Sequence, residues 1–499
     1  MDHRDYIRHD ALGLAELIAR GEVSPAEVLA AARQRLEAVD PTLNCVVRRM
    51  DAIADEHTTT PASGPFAHVP FLIKDLFQNY AGVPTTYGNA ALKRVGFKPP
   101  VHAEVVRRFI AAGVNIFGKT NTPEFGAKGI TEPVANGPTR NPWNTAHTPG
   151  GSSGGSAAAI AAGVVPMAGA NDGGGSIRIP AACCGLFGLK PGRARVPGGP
   201  DHTDMMHGAG VDHVISRSVR DSAAMLDAIA GYEPGAIVRI EGPAMPYRQA
   251  IEHDPKPLRI GVMESSPLGQ PLHPEAWAAL THTIETLTDL GHDVTPAVPA
   301  LDGAQLCQDF LSMWFVQMAR VVDEVRALTD ARASEFELDT RAMAHLGRSL
   351  SAVEYSTLHG RWLGYRQALA AFHADYDLLL TPTLASPPVA IGELATPAWQ
   401  HNLLRPLLHL PSARALLGSG IVDRMAQENL RHVPFTQLAN LTGTPAMSVP
   451  LHIGESGLPI GSQFIGPPGG ETLLFQLAAQ LERAAPWFNR LPRIAGIED

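Results

Sequence analysis

The chain has 499 residues, 45% hydrophobic and 18% charged, the balance of a compact globular protein rather than a disordered or fibrous one. Lys and Arg total 40 against 49 Asp and Glu, and the net charge of -9 with no long basic run excludes a nucleic-acid footprint. The opening Met1-Asp2-His3-Arg4-Asp5 lacks the cationic and apolar regions of a secretory signal, so a cytoplasmic protein is expected.

The longest small-apolar stretch, Ala157 to Ala170, is broken by Gly163 and Pro166 and falls short of the about 20 apolar residues that span a bilayer, so no membrane contact is expected. Four cysteines, Cys45, Cys183, Cys184 and Cys307, form no C-x-x-C pair and suit reduced thiols. The 20 histidines show no metal spacing, so neither a metal nor another cofactor is expected.

In chain order, a helix is predicted from about Leu12 to Arg20. A second follows Ser24-Pro25-Ala26-Glu27, where Ser24 caps, Pro25 takes the first turn and Glu27 completes a capping box. It should run to about Val39, burying Val28, Leu29, Ala32 and Leu36. From Val69 short apolar runs alternate with helices: strand Val69–Ile73, helix His102–Ala112, strand Val114–Phe117, helix Gly155–Ala162 and strand Val164–Ala168. Strand Arg259–Met263, helix Pro274–Leu290 and strands Asp293–Val298 and Leu378–Leu380 continue the pattern. Strands Thr444–Leu451 and Ile460–Ile465 precede a last helix, Thr472–Ala484.

This alternation predicts an α/β fold with a large mixed, largely parallel sheet covered on both faces by helices. With no repeat and no long linker, one domain over 1–499 is expected, with a helical segment at 1–60, a core at 65–230 and a helical region at about 304–431. Met313, Trp314, Phe315, Met318, Leu403, Leu404, Leu407 and Leu408 in that last region could wall a pocket, or could simply pack helix on helix.

Two glycine-rich runs stand out. Thr148-Pro149-Gly150-Gly151-Ser152-Ser153-Gly154-Gly155-Ser156 leads into an alanine-rich helix, and Gly173-Gly174-Gly175-Ser176-Ile177-Arg178 follows the next strand. Consecutive glycines let backbone N–H groups converge on one point, as an oxyanion hole requires. A flexible linker would not sit between strand and helix of a tight core, and no G-x-x-x-x-G-K-[ST] phosphate loop is present.

The segment from Gly150 to Gly192, GGSSGGSAAAIAAGVVPMAGANDGGGSIRIPAACCGLFGLKPG, resembles the signature of the amidase signature family of serine hydrolases. The resemblance extends to Val69–Asp75, Gly118–Phe125, Asn141–Asn144, Ser216–Asp221, Thr444–Ala446 and Gly457–Gly461. It implies that the core at 65–230 is catalytic, that Lys74, Ser152 and Ser176 form a triad, and that Gly151 and Ser152 are joined by a cis peptide. The amides of Gly173, Gly174, Gly175 and Ser176 would form the oxyanion hole, with Asp172 and Arg178 shaping the loop. Independently, a serine hydroxyl needs a base within reach, and a lysine is a base only when burial strips its proton; the apolar run Phe71-Leu72-Ile73 before Lys74 supplies that burial.

The chain departs from the family pattern at Asn171, Gly173 and Gly192, where members usually carry threonines, so loop stiffness or preference should differ. The pair Cys183-Cys184 is read as core packing rather than a redox couple.

Within the family the sequence is similar to bacterial enzymes that cleave cyclic and linear amides, aryl amides and carbamates. The expected activity is hydrolysis of small hydrophobic amides or carbamates through an acyl-enzyme, with Gly151, Trp314 and Met318 as substrate contacts and a homodimer compatible with the family. The alternatives are an amidotransferase subunit working in a complex, or a catalytically silent binding protein on the same scaffold.

Overall fold

The computed structural model describes residues 1–201, 204–396, 406, 408, 413–417 and 420–494. Leu403, Leu404 and Leu407 lie outside the described residues. Eleven strands form one sheet: β1 (Val46–Arg49), β2 (Pro70–Lys74), β3 (Asn115–Thr120), β4 (Met167–Asp172), β5 (Phe187–Lys190), β6 (Val211–Ser216), β7 (Arg259–Val262), β8 (Asp293–Pro296), β9 (Leu378–Pro382), β10 (Ala446–Ile453) and β11 (Pro459–Ile465). Their spatial order is β1-β3-β2-β4-β6-β5-β10-β11-β9-β7-β8.

The sheet is mixed, but the expectation that it is largely parallel is corrected: β2–β3, β2–β4, β7–β8 and β7–β9 are parallel and the other pairings are antiparallel. The tight connection Gly454–Leu458 between β10 and β11 is too short for a crossover, so those strands must run antiparallel. Every residue of β2 to β6 is buried, which requires cover on both faces.

The first helices follow the sequence closely. The Ser24 side chain accepts from the Glu27 N–H at 3.2 Å while the Glu27 carboxylate accepts from the Ser24 N–H at 2.8 Å, a complete capping box. The helix it opens, Pro25–Leu43, runs past Val39 and through Pro41, whose missing N–H costs a single bond near the end.

The strand expected at Val164–Ala168 begins instead at Met167. Gly163, at φ +75°, ends the preceding helix Gly154–Ala161, and the Val164 N–H folds back onto the Ala159 carbonyl at 2.9 Å. Val164 and Val165 therefore belong to a helix cap, and their apolar character reflects burial in it.

Ser24→Ala should remove both arms of the capping box and lower stability by about 1 kcal/mol, read as a shift of the urea unfolding midpoint. Restoring the cap with Ser24→Asp should recover most of that loss.

Candidate active site

Parallel pairing of β2 with β4, in register Leu72 with Ala168, brings the C-terminal ends of both strands to one edge. Lys74 ends β2, and Asn171 and Asp172 end β4 just before the Gly173–Ser176 loop. The other glycine run meets this edge through the helix Arg178–Cys184. A Cβ built on Gly150 would lie 3.0 Å from Pro180 Cα and 3.2 Å from Ile179 Cγ2. The Ser153 hydroxyl also reaches the Asn171 carbonyl at 3.4 Å. The peptide between Gly151 and Ser152 is cis.

The Lys74 side chain is fully buried, 0% exposed. Its Nζ lies 2.7 Å from Ser152 Oγ and 2.6 Å from Asn171 Oδ1. Burial disfavours the ammonium and lowers the Lys74 pKa to about 7, against the opposing pull of the Asp212 and Asp172 carboxylates. An amine in this state is about half deprotonated at neutral pH, and its neutral form can take a proton from the hydroxyl it touches. Ser152 and Ser176 are 2% and 7% exposed, so both hydroxyls are nearly dry.

Asp172 and Arg178 shape the loop that carries Ser176. The Arg178 guanidinium meets Asp172 with Nε at 2.9 Å from Oδ2 and Nη2 at 3.0 Å from Oδ1, both side chains wholly buried. Burial opposes ionisation of Asp172, but the guanidinium outweighs it and holds the carboxyl well below the usual carboxylate range. The remaining Arg178 donors reach the Thr436 carbonyl, Gln463 Oε1 and Asn440 Oδ1 at 2.9, 2.6 and 2.7 Å.

One expected oxyanion donor is corrected. The Gly175 N–H donates to Asp172 Oδ1 at 2.7 Å, and one N–H serves one acceptor well, so it is committed to shaping the loop. The Ile177 N–H likewise reaches Asp172 Oδ2 at 3.2 Å. Among the described residues no acceptor takes the N–H of Gly173, Gly174 or Ser176.

An apolar roof lies over the first two glycines. A Cβ at Gly173 would sit 2.2 Å from Met206 Cε and 3.4 Å from Trp314 Cζ3, and one at Gly174 would sit 2.5 Å from Phe310 Cζ. The rings of Phe310 and Trp314 stack 5.4 Å apart on one face of the helix Gly303–Thr329. Trp314 therefore lies against the glycine loop. Met318, one turn on, is 3% exposed and belongs to the buried core cluster. Gly151 faces the Ile130 backbone, and its lack of a side chain answers to packing there.

The residues that sequence reading missed are Met206, Phe310, Gln78 and Asp212. Met206 and His207 both adopt left-handed backbone, at φ +52° and +57°, a conformation that no local pattern signals. Cys183 and Cys184 are free and buried, and burial pushes both thiols up, away from the reactive thiolate.

Gly151→Ala would drive its Cβ to 2.6 Å from Ile130 N and O, backbone atoms that cannot yield, and should destabilise by about 2 kcal/mol or more. Gly173→Ala clashes with the flexible Met206 tip and meets Trp314 only at an ordinary contact distance of 3.4 Å, so it should cost less than about 1 kcal/mol. Denaturant unfolding of the two variants checks the ranking, and equal losses would contradict it.

The Amidase family profile matches residues 27–475. A 6-aminohexanoate-cyclic-dimer hydrolase of Pseudomonas sp. (strain NK87) is 39% identical, covering 97% of this chain and 96% of that protein. A putative amidase, AmiC, of Mycobacterium leprae (strain TN) is 36% identical, covering 96% and 95%. The solved structure of a 6-aminohexanoate cyclic dimer hydrolase complexed with substrate superposes with a TM-score of 0.89 at 35% identity, covering 98% of this chain and 99% of that one. Among the described residues no helix is long and apolar enough to cross a membrane. The chain belongs to the amidase signature family and is an amidohydrolase acting on amide C–N bonds.

Proposed function

We propose that the protein hydrolyses small, hydrophobic linear, cyclic or aryl amides, and carbamates, through an acyl-enzyme on Ser176. Ser152 accepts the Ser176 proton as it hands its own to Lys74, and Ser176 attacks the carbonyl. The oxyanion gathers the N–H groups of Gly173, Gly174 and Ser176. The proton returns through Ser152 to the leaving nitrogen, which departs as an amine, and water then repeats the attack on the acyl-enzyme.

The observation that carries this reading is a wholly buried amine 2.7 Å from a serine hydroxyl. Any surface lysine would stay charged and have no lone pair to offer. The bidentate grip of Arg178 on Asp172, and of Asp172 on the Gly175 amide, supports a loop held ready for the oxyanion rather than shaped by it.

The Met206, Phe310 and Trp314 roof supports an apolar acyl group. The relatives named for 6-aminohexanoate cyclic dimer support a short methylene chain between amides. A carbamate differs by one alkoxy oxygen beside the same carbonyl, so the same attack serves it. One continuous sheet from β1 to β8 supports a single domain, and four free buried cysteines suit a reducing, cytoplasmic setting.

Ser176→Ala should lower kcat on a chromogenic anilide by at least about 10⁴-fold, and normal turnover by that variant would remove Ser176 as nucleophile. Wild-type enzyme that cleaves anilides but no aryl carbamate would strike carbamates from the substrate range. For pH, the sign follows from the depressed amine: protonated Lys74 is inactive, so kcat/KM should rise as pH is raised through about 7 and level off above it. An acid limb near the ordinary lysine value would show instead that burial leaves Lys74 charged at neutral pH and would remove the neutral amine from the relay.

A further inference from the structure

Behind Lys74 the sheet carries polar groups that the proton relay leaves unused. Asn171 on β4 and Asp212 on β6 are partners in the antiparallel register, and they are 5% and 4% exposed. Asn171 Oδ1 can only accept, so its 2.6 Å contact commits one Lys74 N–H as donor. Asn171 Nδ2 donates to the Leu76 carbonyl at 2.8 Å, which fixes the amide against rotation. A neutral Nζ anchored this way has its lone pair and one N–H left, and its lone pair can turn toward Ser152. A threonine at 171 could donate or accept, and would leave that polarity open.

Gln78 joins the second carboxylate to the same cluster. Its Oε1 accepts from the Lys74 backbone N–H at 2.8 Å, and its Nε2 donates to Asp212 Oδ1 and the Ala170 carbonyl, both at 3.1 Å. Among the described residues Asp212 makes no ion pair. A cavity of about 20 Å³ borders it, room for one water.

The other charges around this cluster are already paired or turned away. Asp172 is held by Arg178, and Arg193 and Asp204 at the cavity wall pair with each other at 2.6 Å. Asp75, next to Lys74, accepts from Thr85 and Thr86 and faces Lys119 at 3.7 Å. Lys190 on β5 donates to the Pro191 carbonyl at 2.8 Å, and the buried His213 bonds to the Ser222 hydroxyl at 3.0 Å.

We propose that Asp212 is the fixed counter-charge for the Lys74 ammonium that forms in mid-cycle, and that Asn171 is the positioning residue that aims the neutral amine at Ser152. The inference rests on the Ser176–Ser152–Lys74 reading. When the Ser152 proton reaches Nζ, a cation appears in a dry site while the oxyanion appears at the glycine loop. A carboxylate already in place stabilises that cation without reorganising solvent. Burial raises the Asp212 pKa to about 6, with the Gln78 hydrogen bond and the Lys74 charge pulling it back down, so the carboxylate is ionised where the amine is neutral.

Two substitutions test this by moving the acid limb of kcat/KM in opposite directions. Asp212→Asn removes the attraction for the ammonium, so the limb should move down by about one pH unit while the plateau kcat falls about tenfold. Asn171→Asp sets a carboxylate at Nζ, so its limb should move up by a similar amount. General misfolding would lower both plateaus without separating the limbs. Limbs that coincide with wild type, or that shift together, overturn the proposal. Labelling of Ser176 by a fluorophosphonate, read in wild type and both variants, keeps the two readings apart: label at Ser176 with unmoved limbs defeats only the roles of Asp212 and Asn171, whereas wild type left unlabelled there defeats the relay itself.

Discussion

Removal of water from around one amine is the constraint on which the site depends. Phe71, Leu72 and Ile73 are 0% exposed and carry Lys74 into the sheet interior with them, where a charged ammonium is costly. Burial alone does not set Lys74 apart in this chain. Lys190 is equally buried and is also brought down to about 7 by burial and the nearby Arg178 charge, yet its Nζ donates to the carbonyl of Pro191. What distinguishes Lys74 is a hydroxyl at 2.7 Å that can give up a proton.

The second organising element is the Asp172–Arg178 pair. A buried ion pair contributes little to stability unless its remaining donors and acceptors are satisfied. Here Asp172 accepts from Gly175, Ile177, Arg178 and Asn440, and Arg178 spends its other donors on Thr436, Gln463 and Asn440. Thr436 closes the arrangement from the opposite side, its hydroxyl donating to the Gly174 carbonyl at 2.6 Å. The glycine loop is thus clamped on its N–H side by β4 and on its carbonyl side by a segment from far along the chain. That rigidity is what lets flexible residues present a fixed set of donors.

Much of this was legible in the amino-acid sequence wherever the signal was local. The capping box at Ser24, the strands at Arg259, Leu378 and Ile460, and the glycine runs are each contained within a few residues. β6 went unread because it is buried on both faces and contains Asp212 and His213, so neither alternation nor an apolar run marks it. Lys74, Ser152 and Ser176 stood out through their motifs, and the structure brings Lys74 and Ser152 into contact. Asp212 and Met206 did not stand out, because their proximity to the site arises from strand register and from an irregular left-handed turn. The free donors of the glycine loop were overcounted for a related reason: which amides turn inward depends on where the Asp172 carboxylate lies.

The reach of Arg178 has a consequence for how the molecule is made. Its partners Thr436, Asn440 and Gln463 lie 258, 262 and 285 residues further along the chain. A nascent chain that has exposed Ser176 but not yet these residues leaves the guanidinium with donors it cannot satisfy in a dry interior, so the loop cannot settle into its working shape. The clamped loop therefore takes its shape only once the chain has been made through Gln463.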